Sequence, residues 1–271
     1  MQAPTDASRT TLDSGYPRAL EHLPADHAVG GRYVVRFARD LEDLTAVQRL
    51  RYEVFNLELE EGLEESHLTG LDRDVYDPQC HHLIIAVKDT GEVVGTYRLQ
   101  NQSMAQAGAG WYTASEFDLS GLPLEIQQTA VEIGRACVAR DHRNGRVLNL
   151  LWRGLAMYLL HNHRRYLFGC CSLTSQDPHV ARQTYDFLAS GSFVHPAIRL
   201  QPLPGFECYA QDFVASPNVS VKLPPLFASY LKLHAKVTGA PALDRQFKTI
   251  DFLVLLDIAD LDLKTYGFYF R

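Results

Sequence analysis

One stretch constrains the fold of this chain more than any other: residues 131–175, VEIGRACVARDHRNGRVLNLLWRGLAMYLLHNHRRYLFGCCSLTS. Val131 to Val138 alternates apolar and polar residues, the period of a half-buried strand. Asn144-Gly145 is a turn signal. Beyond it Leu148, Leu151, Trp152, Leu155, Leu159 and Leu160 recur at the three- and four-residue spacing of a helix stripe. Tyr166 to Leu173 reads as a second buried strand. Strand, turn, helix and strand in this order make a βαβ unit whose strands run parallel.

Charge within that unit is lopsided. Between residues 135 and 165 seven arginines (135, 140, 143, 146, 153, 164 and 165) stand against one acid, Asp141, in a chain whose net charge is −6. A basic turn feeding a helix N-terminus suits a phosphate-bearing ligand, held by amides, dipole and guanidinium groups. A solvated helix rim is the plainer alternative.

The flanking sequence predicts a mixed sheet with helices on its faces. Residues 1–30 are polar and read as a mobile tail. Arg32–Ala38 is a strand, and Asp40 is placed to cap a helix that carries Leu41, Leu44, Val47, Leu50, Val54 and Phe55. His82–Val87 and Val93–Leu99 pair as a hairpin across Asp89-Thr90-Gly91-Glu92. Residues 101–125 read as a loop with short helical turns, and His179–Leu188 as a helix. A strand is expected within Leu203–Phe213, a helix from Pro225 to Val237 and a strand at Asp251–Asp257. The expected division is a tail (1–30), a main α/β (α+β) domain (31–215) and a helix–strand extension (216–271).

Composition narrows the function classes. Five cysteines without CxxC spacing, two of them adjacent, fit neither a zinc ribbon nor a disulfide framework. No apolar leader and no run near the roughly 20 apolar residues of a membrane span are present, so a cytoplasmic protein is expected. Lys232 and Lys236 beside the apolar face of the 225–237 helix allow a peripheral membrane contact. No nucleic-acid partner is expected of an acidic chain.

Leu50-Arg51-Tyr52-x-Val54-Phe55, Asp74-x-x-Asp77, Gly95-Thr96-Tyr97-Arg98-Leu99, Glu116-Phe117-Asp118 and Glu132-Ile133-Gly134-Arg135 appear in that order. Together with the element order they resemble the GNAT acyltransferase fold. The branch is that of the acyl-carrier-protein-dependent N-acyltransferases of ornithine-lipid synthesis (hemolysin-like), related to N-acyl amino acid synthases and acyl-homoserine-lactone synthases. The resemblance covers roughly residues 31–265. It implies transfer of a (3-hydroxy)fatty acyl group from acyl-carrier protein to the α-amine of an amino acid, ornithine first. Acyl-phosphopantetheine is then a co-substrate, with no bound cofactor and no metal. One departure bears on the donor: the turn Arg143-Asn144-Gly145-Arg146-Val147 keeps one glycine where acetyl-CoA enzymes carry a Q/R-x-x-G-x-G/A loop. Fewer amides and more arginine suit the single phosphodiester of a carrier-protein arm.

Amide formation needs an uncharged amine, and an alkylamine is mostly protonated near neutrality. Glu132, on a half-buried strand, is the expected base, and the resemblance places the family's candidate there. Pairing with Arg135 or Arg98 is its structural alternative. Gly134 and Arg135 complete the expected catalytic strand, with backbone amides from Gly134 to Cys137 meeting the oxyanion. The resemblance makes Arg51, Asp74, Asp77, Arg98 and Arg135 a charged cluster around the amine-bearing substrate, the aspartates for ammonium groups and an arginine for the carboxylate; Phe55 joins Arg51, Asp74, Asp77 and Arg98 in the expected substrate-binding set. Arg140, Arg143 and Arg146 are the expected phosphopantetheine or carrier contacts. Phe55, Trp111 and Phe168 are candidates to line an acyl tunnel, or plain core. Cys170-Cys171 read as structural, because adjacent strand residues point to opposite faces. The rival functions are synthesis of another N-acyl amino acid or an acyl-homoserine lactone, and a non-catalytic acyl-chain or carrier-binding module.

Overall fold

The computed structural model describes residues 15–216 and 221–270. Its strands are β1 (Ala28–Gly30), β2 (Tyr33–Phe37), β3 (His81–Val87), β4 (Val93–Asn101), β5 (Phe117–Asp118), β6 (Ala130–Val138), β7 (Tyr166–Leu173), β8 (Gln201–Pro202), β9 (Lys236–Val237), β10 (Ala242–Asp244) and β11 (Thr249–Asp257). The helices are α1 (Leu41–Tyr52), α2 (Gln102–Ala107), α3 (Leu124–Thr129), α4 (Gly145–His161), α5 (Pro178–Ser190), α6 (Pro225–Lys232) and α7 (Leu263–Tyr269). One sheet runs β1-β2-β3-β4-β6-β7-β11-β10, with β9 on β11. Among the described residues β6 and β7 pair in parallel, joined through α4 as the βαβ pattern requires.

Asp40 caps α1 by accepting the amide of Asp43 at 2.9 Å. α1 buries Leu44, Val47 and Leu50, then widens into a π-helical segment, Glu53–Glu58, that carries Phe55 inward. Asn144 caps α4 through the amides of Arg146 and Val147. α4 buries Val147, Leu150, Leu151, Leu155 and Leu159 in one core with Val35, Leu83, Leu99 and Val131. Each such leucine contributes roughly 1.5–3 kcal/mol. The opposite sheet face, reached by alternation, presents Arg98, Gln100, Glu132 and Gly134, paired Arg98↔Gly134 and Gln100↔Glu132.

Four expectations change. Of the expected tail, residues 1–14 lie outside the described residues, while 15–30 dock. Leu23 is buried, β1 pairs with β2, and the Tyr16 hydroxyl lies 2.9 Å from His82 Nδ1. The 225–237 helix stops at Lys232, because His234 takes a left-handed φ of 67°. Lys236 then opens β9 and donates to the Ser192 carbonyl. Phe227, Tyr230 and Leu231 point into the main core, so this apolar face is covered by the protein itself. Within 203–213 no strand forms, the short β8 ending at Pro202. Finally, β11 pairs with β7 along its length, which makes the C-terminal segment part of the central sheet. No helix among the described residues is long and apolar enough to cross a membrane.

Candidate active site

The site begins where β6 and β7 part. They pair only at Ala130↔Tyr166, Val131↔Leu167 and Glu132↔Phe168, although both strands continue. At the fork, a Cβ on Gly169 would lie 2.0 Å from the Ile133 carbonyl oxygen, so only glycine lets the backbones meet there. Against β4, the register shifts between Thr96↔Cys137 and Arg98↔Gly134, so Arg135 and Ala136 together face Tyr97. Arg135 takes φ 45° in this bulge, which re-aims its side chain. The opened cleft holds about 290 Å³ and is lined by Phe55, Glu61, Gly134, Phe168, Cys170 and Phe227, among others. Space is open where a Gly134 side chain would project. Trp111 packs edge-on against Phe168 at 5.0 Å, outside the cleft lining.

Beside the cleft lies a buried network of three arginines and three aspartates. Arg51, from α1, is 0% exposed and pairs with Asp72 at 3.2 Å and Asp77 at 2.9 Å. Arg98, from β4, pairs with Asp74 at 2.6 Å and Asp77 at 3.0 Å. Arg135 reaches Asp74 at 3.1 Å and Asp72 at 3.7 Å. Burial alone would raise Asp77; Arg51 and Arg98 hold its carboxyl well below the usual range. Asp74 is lowered too, its burial outweighed by Arg98 and Arg135. Tyr112 lies under both Arg98 and Arg135, at 5.3 and 4.9 Å, and Phe247 under Arg135 at 3.9 Å. Asp74 and Arg135 also line a polar chamber with Tyr76, Tyr112, Glu116 and Asp244. Arg135 and Phe247 line both chamber and cleft, so the two adjoin there.

Glu132 is buried and lines neither space. Its Oε1 accepts the amide and hydroxyl of Thr113, both at 2.7 Å. Its Oε2 accepts the Tyr112 amide at 3.0 Å and Gln100 Nε2 at 2.5 Å. Four donors occupy the roughly four acceptor positions of a carboxylate. Neither Arg98 nor Arg135 is among them. Sequence reasoning missed Glu61, the carboxyl that does line the cleft: 8% exposed, pushed up to about 7 by burial and by Asp251. It also missed Asp72, whose neighbours in an acidic loop carry no periodic signal.

The basic turn divides its arginines. Arg143 forms a two-pronged pair with Glu58 at 2.6 and 2.7 Å. Arg146 lies over Gly31, and Arg140 sits exposed in a short turn of helix before α4. Cys170 and Cys171 pack into different cores, and burial pushes both thiols up, the reverse of an activated nucleophile.

A splayed parallel strand pair, a bulged strand and an adjoining charged chamber define a GNAT-fold acyltransferase. Residues 50–153 match the acetyltransferase (GNAT) domain family. The fold is similar to FeeM, an N-acyl amino acid synthase from uncultured soil microbes, with a TM-score of 0.51, 13% identity and coverage of 87% of this chain and 98% of that one. It is similar also to the AHL synthase LasI, with a TM-score of 0.50, 13% identity and coverage of 88% and 94%. In sequence the chain is 32% identical to the L-ornithine N(alpha)-acyltransferase of Rhodobacter capsulatus, over 88% of this chain and 95% of that protein. It is 30% identical to that of Agrobacterium fabrum, over 88% and 85%. The chain belongs to the family of the L-ornithine N(alpha)-acyltransferases.

Proposed function

We propose that this enzyme moves a 3-hydroxyacyl chain from the phosphopantetheine thioester of an acyl-carrier protein to the α-amine of L-ornithine. The observation that carries this reading is the fork at Ile133 and Gly169. Alternate residues of a strand aim their N–H groups at opposite edges, and the β7-facing edge of β6 beyond Glu132 lacks a strand partner. A thioester laid along that edge would have its carbonyl oxygen met by amides between Gly134 and Cys137, with its acyl chain among Phe55, Phe168 and Phe227. The amino acid occupies the polar chamber and meets the thioester where Arg135 and Phe247 join the two spaces.

Nucleophilic attack forms the C–N bond, and collapse of the tetrahedral intermediate breaks the C–S bond and releases the pantetheine thiol. The amine must lose its protons. Glu61 reaches the cleft and carries a proton affinity matched to neutral pH, so we place the acceptor there. Glu132 is a positioning residue: it holds the Tyr112–Thr113 segment and Gln100, and so the chamber wall. Arg51 and Asp77 act likewise, from positions buried behind Arg98. Arg135, which lines both spaces and whose Nε is buried without a hydrogen-bond partner, presents positive charge for the substrate carboxylate, with Arg98 held beside it through Asp74. Arg140, Arg143 and Arg146 are exposed at the start of α4, the side from which an acidic carrier would dock.

The test is acyl transfer by purified protein to ornithine from acyl-carrier protein and, separately, from acyl-CoA of the same chain length. Faster turnover with the carrier protein, declining with salt, is expected. Equal or faster turnover with acyl-CoA would reassign the donor.

A further inference from the structure

A second acidic group adjoins the polar chamber, which Glu116 and Asp244 line, and unlike the first it makes no ion pair with a basic side chain among the described residues. Glu116, Asp244 and Asp251 are 2%, 6% and 2% exposed. Among the described residues, the ion pairs within 4 Å involve none of the three. They come from three separate elements: the residue before β5, the end of β10 and the start of β11. Glu116 Oε1 and Asp251 Oδ1 are buried without a hydrogen-bond partner. The oxygens of Glu116 and Asp251 and the Cys170 sulfur fall within 4.8 Å of one another. Asp244 Oδ1 accepts the amides of Gln246 and Phe247, which leaves Oδ2 with a long 3.4 Å bond from Tyr112. Glu116 and Asp244 face the same chamber as Asp74 and Arg135.

Uncompensated carboxyls are costly to bury, so the arrangement calls for a cation. Burial, then the charges of Asp251 and Asp244, push Glu116 well above the usual carboxylate range, and Asp251 is raised with it. An alkylammonium offers three N–H donors on one nitrogen, which suits three carboxyls converging from three elements. A metal ion suits the group less well. Its third ligand would be Cys170, whose thiol burial and the adjoining carboxyls hold protonated, whereas a metal needs the thiolate. The contrast with Asp72, Asp74 and Asp77 is direct: those carboxylates already hold arginines.

We infer that Glu116, Asp244 and Asp251 form the subsite for the side-chain ammonium of a diamino acid, so that the enzyme selects its acceptor by a second positive charge. This rests on the acyl transfer proposed above. Arg135 fixes the carboxylate near the cleft, the α-amine meets the thioester, and the distal ammonium anchors the far end of the chain.

The experiment compares kcat/KM for ornithine and norvaline, which has the same carbon skeleton without the second amine. It uses the wild type, Glu116→Gln and Asp251→Asn, with Tm for each. The wild type should favour ornithine by about 100-fold or more, as expected of a site built around a polar group. Each variant should lose at least about 10-fold of that preference, chiefly through the KM for ornithine, while Tm stays level or rises because an unpaired buried acid has been neutralised. Equal use of both amines by the wild type would overturn the subsite, as would variants that keep the wild-type preference. Stoichiometric Zn²⁺ retained through dialysis by the wild type and lost from Asp251→Asn would assign the cluster to a metal instead. Failure of the wild type to acylate any amine would overturn the transfer reading itself, and the subsite with it.

Discussion

Glu61 and Glu132 differ in what surrounds the carboxyl, and that difference predicts opposite behaviour on substitution. Glu61 rises from 4.5 to about 7 on folding, so its neutral form is favoured in the native state. Its contribution to stability is present below pH 4.5 and lost as pH climbs through about 7. Glu61→Gln should therefore gain stability on the wild type across that interval, while kcat falls about 100-fold and the acid limb of the pH–rate profile flattens. Glu132→Gln sets an NH₂ group against donors from Thr113, Tyr112 and Gln100. It should lower stability by about 1–3 kcal/mol through an unmade buried bond. A stable Glu132→Gln protein whose acid limb has vanished would move the base to Glu132. At this scale the sequence shows the charged residues but not their partners. Glu132 reads as a strand acid, whereas three of its four donors come from residues 112 and 113 in an irregular segment.

The element that makes the site is the fork between β6 and β7, and Gly169 is its hinge. Gly169→Ala places a methyl 2.0 Å from a backbone oxygen, so the strands must shift at the cleft's closed end. The expected cost is about 1–3 kcal/mol of stability, as for overpacking, with a marked loss of kcat/KM; unchanged kinetics would mean the fork can flex without consequence. The βαβ unit was legible because periods of two and 3.6 residues are strong over Val131–Val138 and Leu148–Leu160. The fork was not. It depends on where parallel pairing stops and on a bulge centred on Arg135, a residue type that gives no turn signal at positive φ. The end of α6 was missed for the same reason, since His234 in a left-handed conformation resembles no standard stop.

Across the whole molecule, the Arg51–Asp72–Asp77 and Arg98–Asp74–Arg135 pairs join α1, the 71–79 loop, β4 and β6 into one block. Asp77→Asn leaves Arg51 short of a partner at 0% exposure and should cost about 3–5 kcal/mol, read as a fall in Tm. The lowered carboxyls of Asp74 and Asp77 stabilise the fold above the unfolded value near 3.9, and this is lost as pH falls below it. Acid unfolding should thus begin below about pH 4, and the Asp77→Asn protein should show a shallower pH dependence there; identical acid transitions would argue against the network. The chain's overall plan, a mixed sheet with helices on its faces, follows from element order alone. The docking of residues 15–30 does not, because Tyr16 and Leu23 are isolated apolar residues in a polar stretch.

In the proposed reaction the α-amine meets the thioester at the Gly134–Arg135 bulge while the rest of the amino acid lies in the polar chamber. The measurement that tests it most directly is tandem mass spectrometry of the product from purified enzyme, 3-hydroxyacyl-carrier protein and ornithine labelled with ¹⁵N at the α position. The expected product is a single amide carrying the acyl group on the labelled nitrogen, with the side-chain amine free. Acylation of the unlabelled nitrogen, or no amide at all, would contradict it.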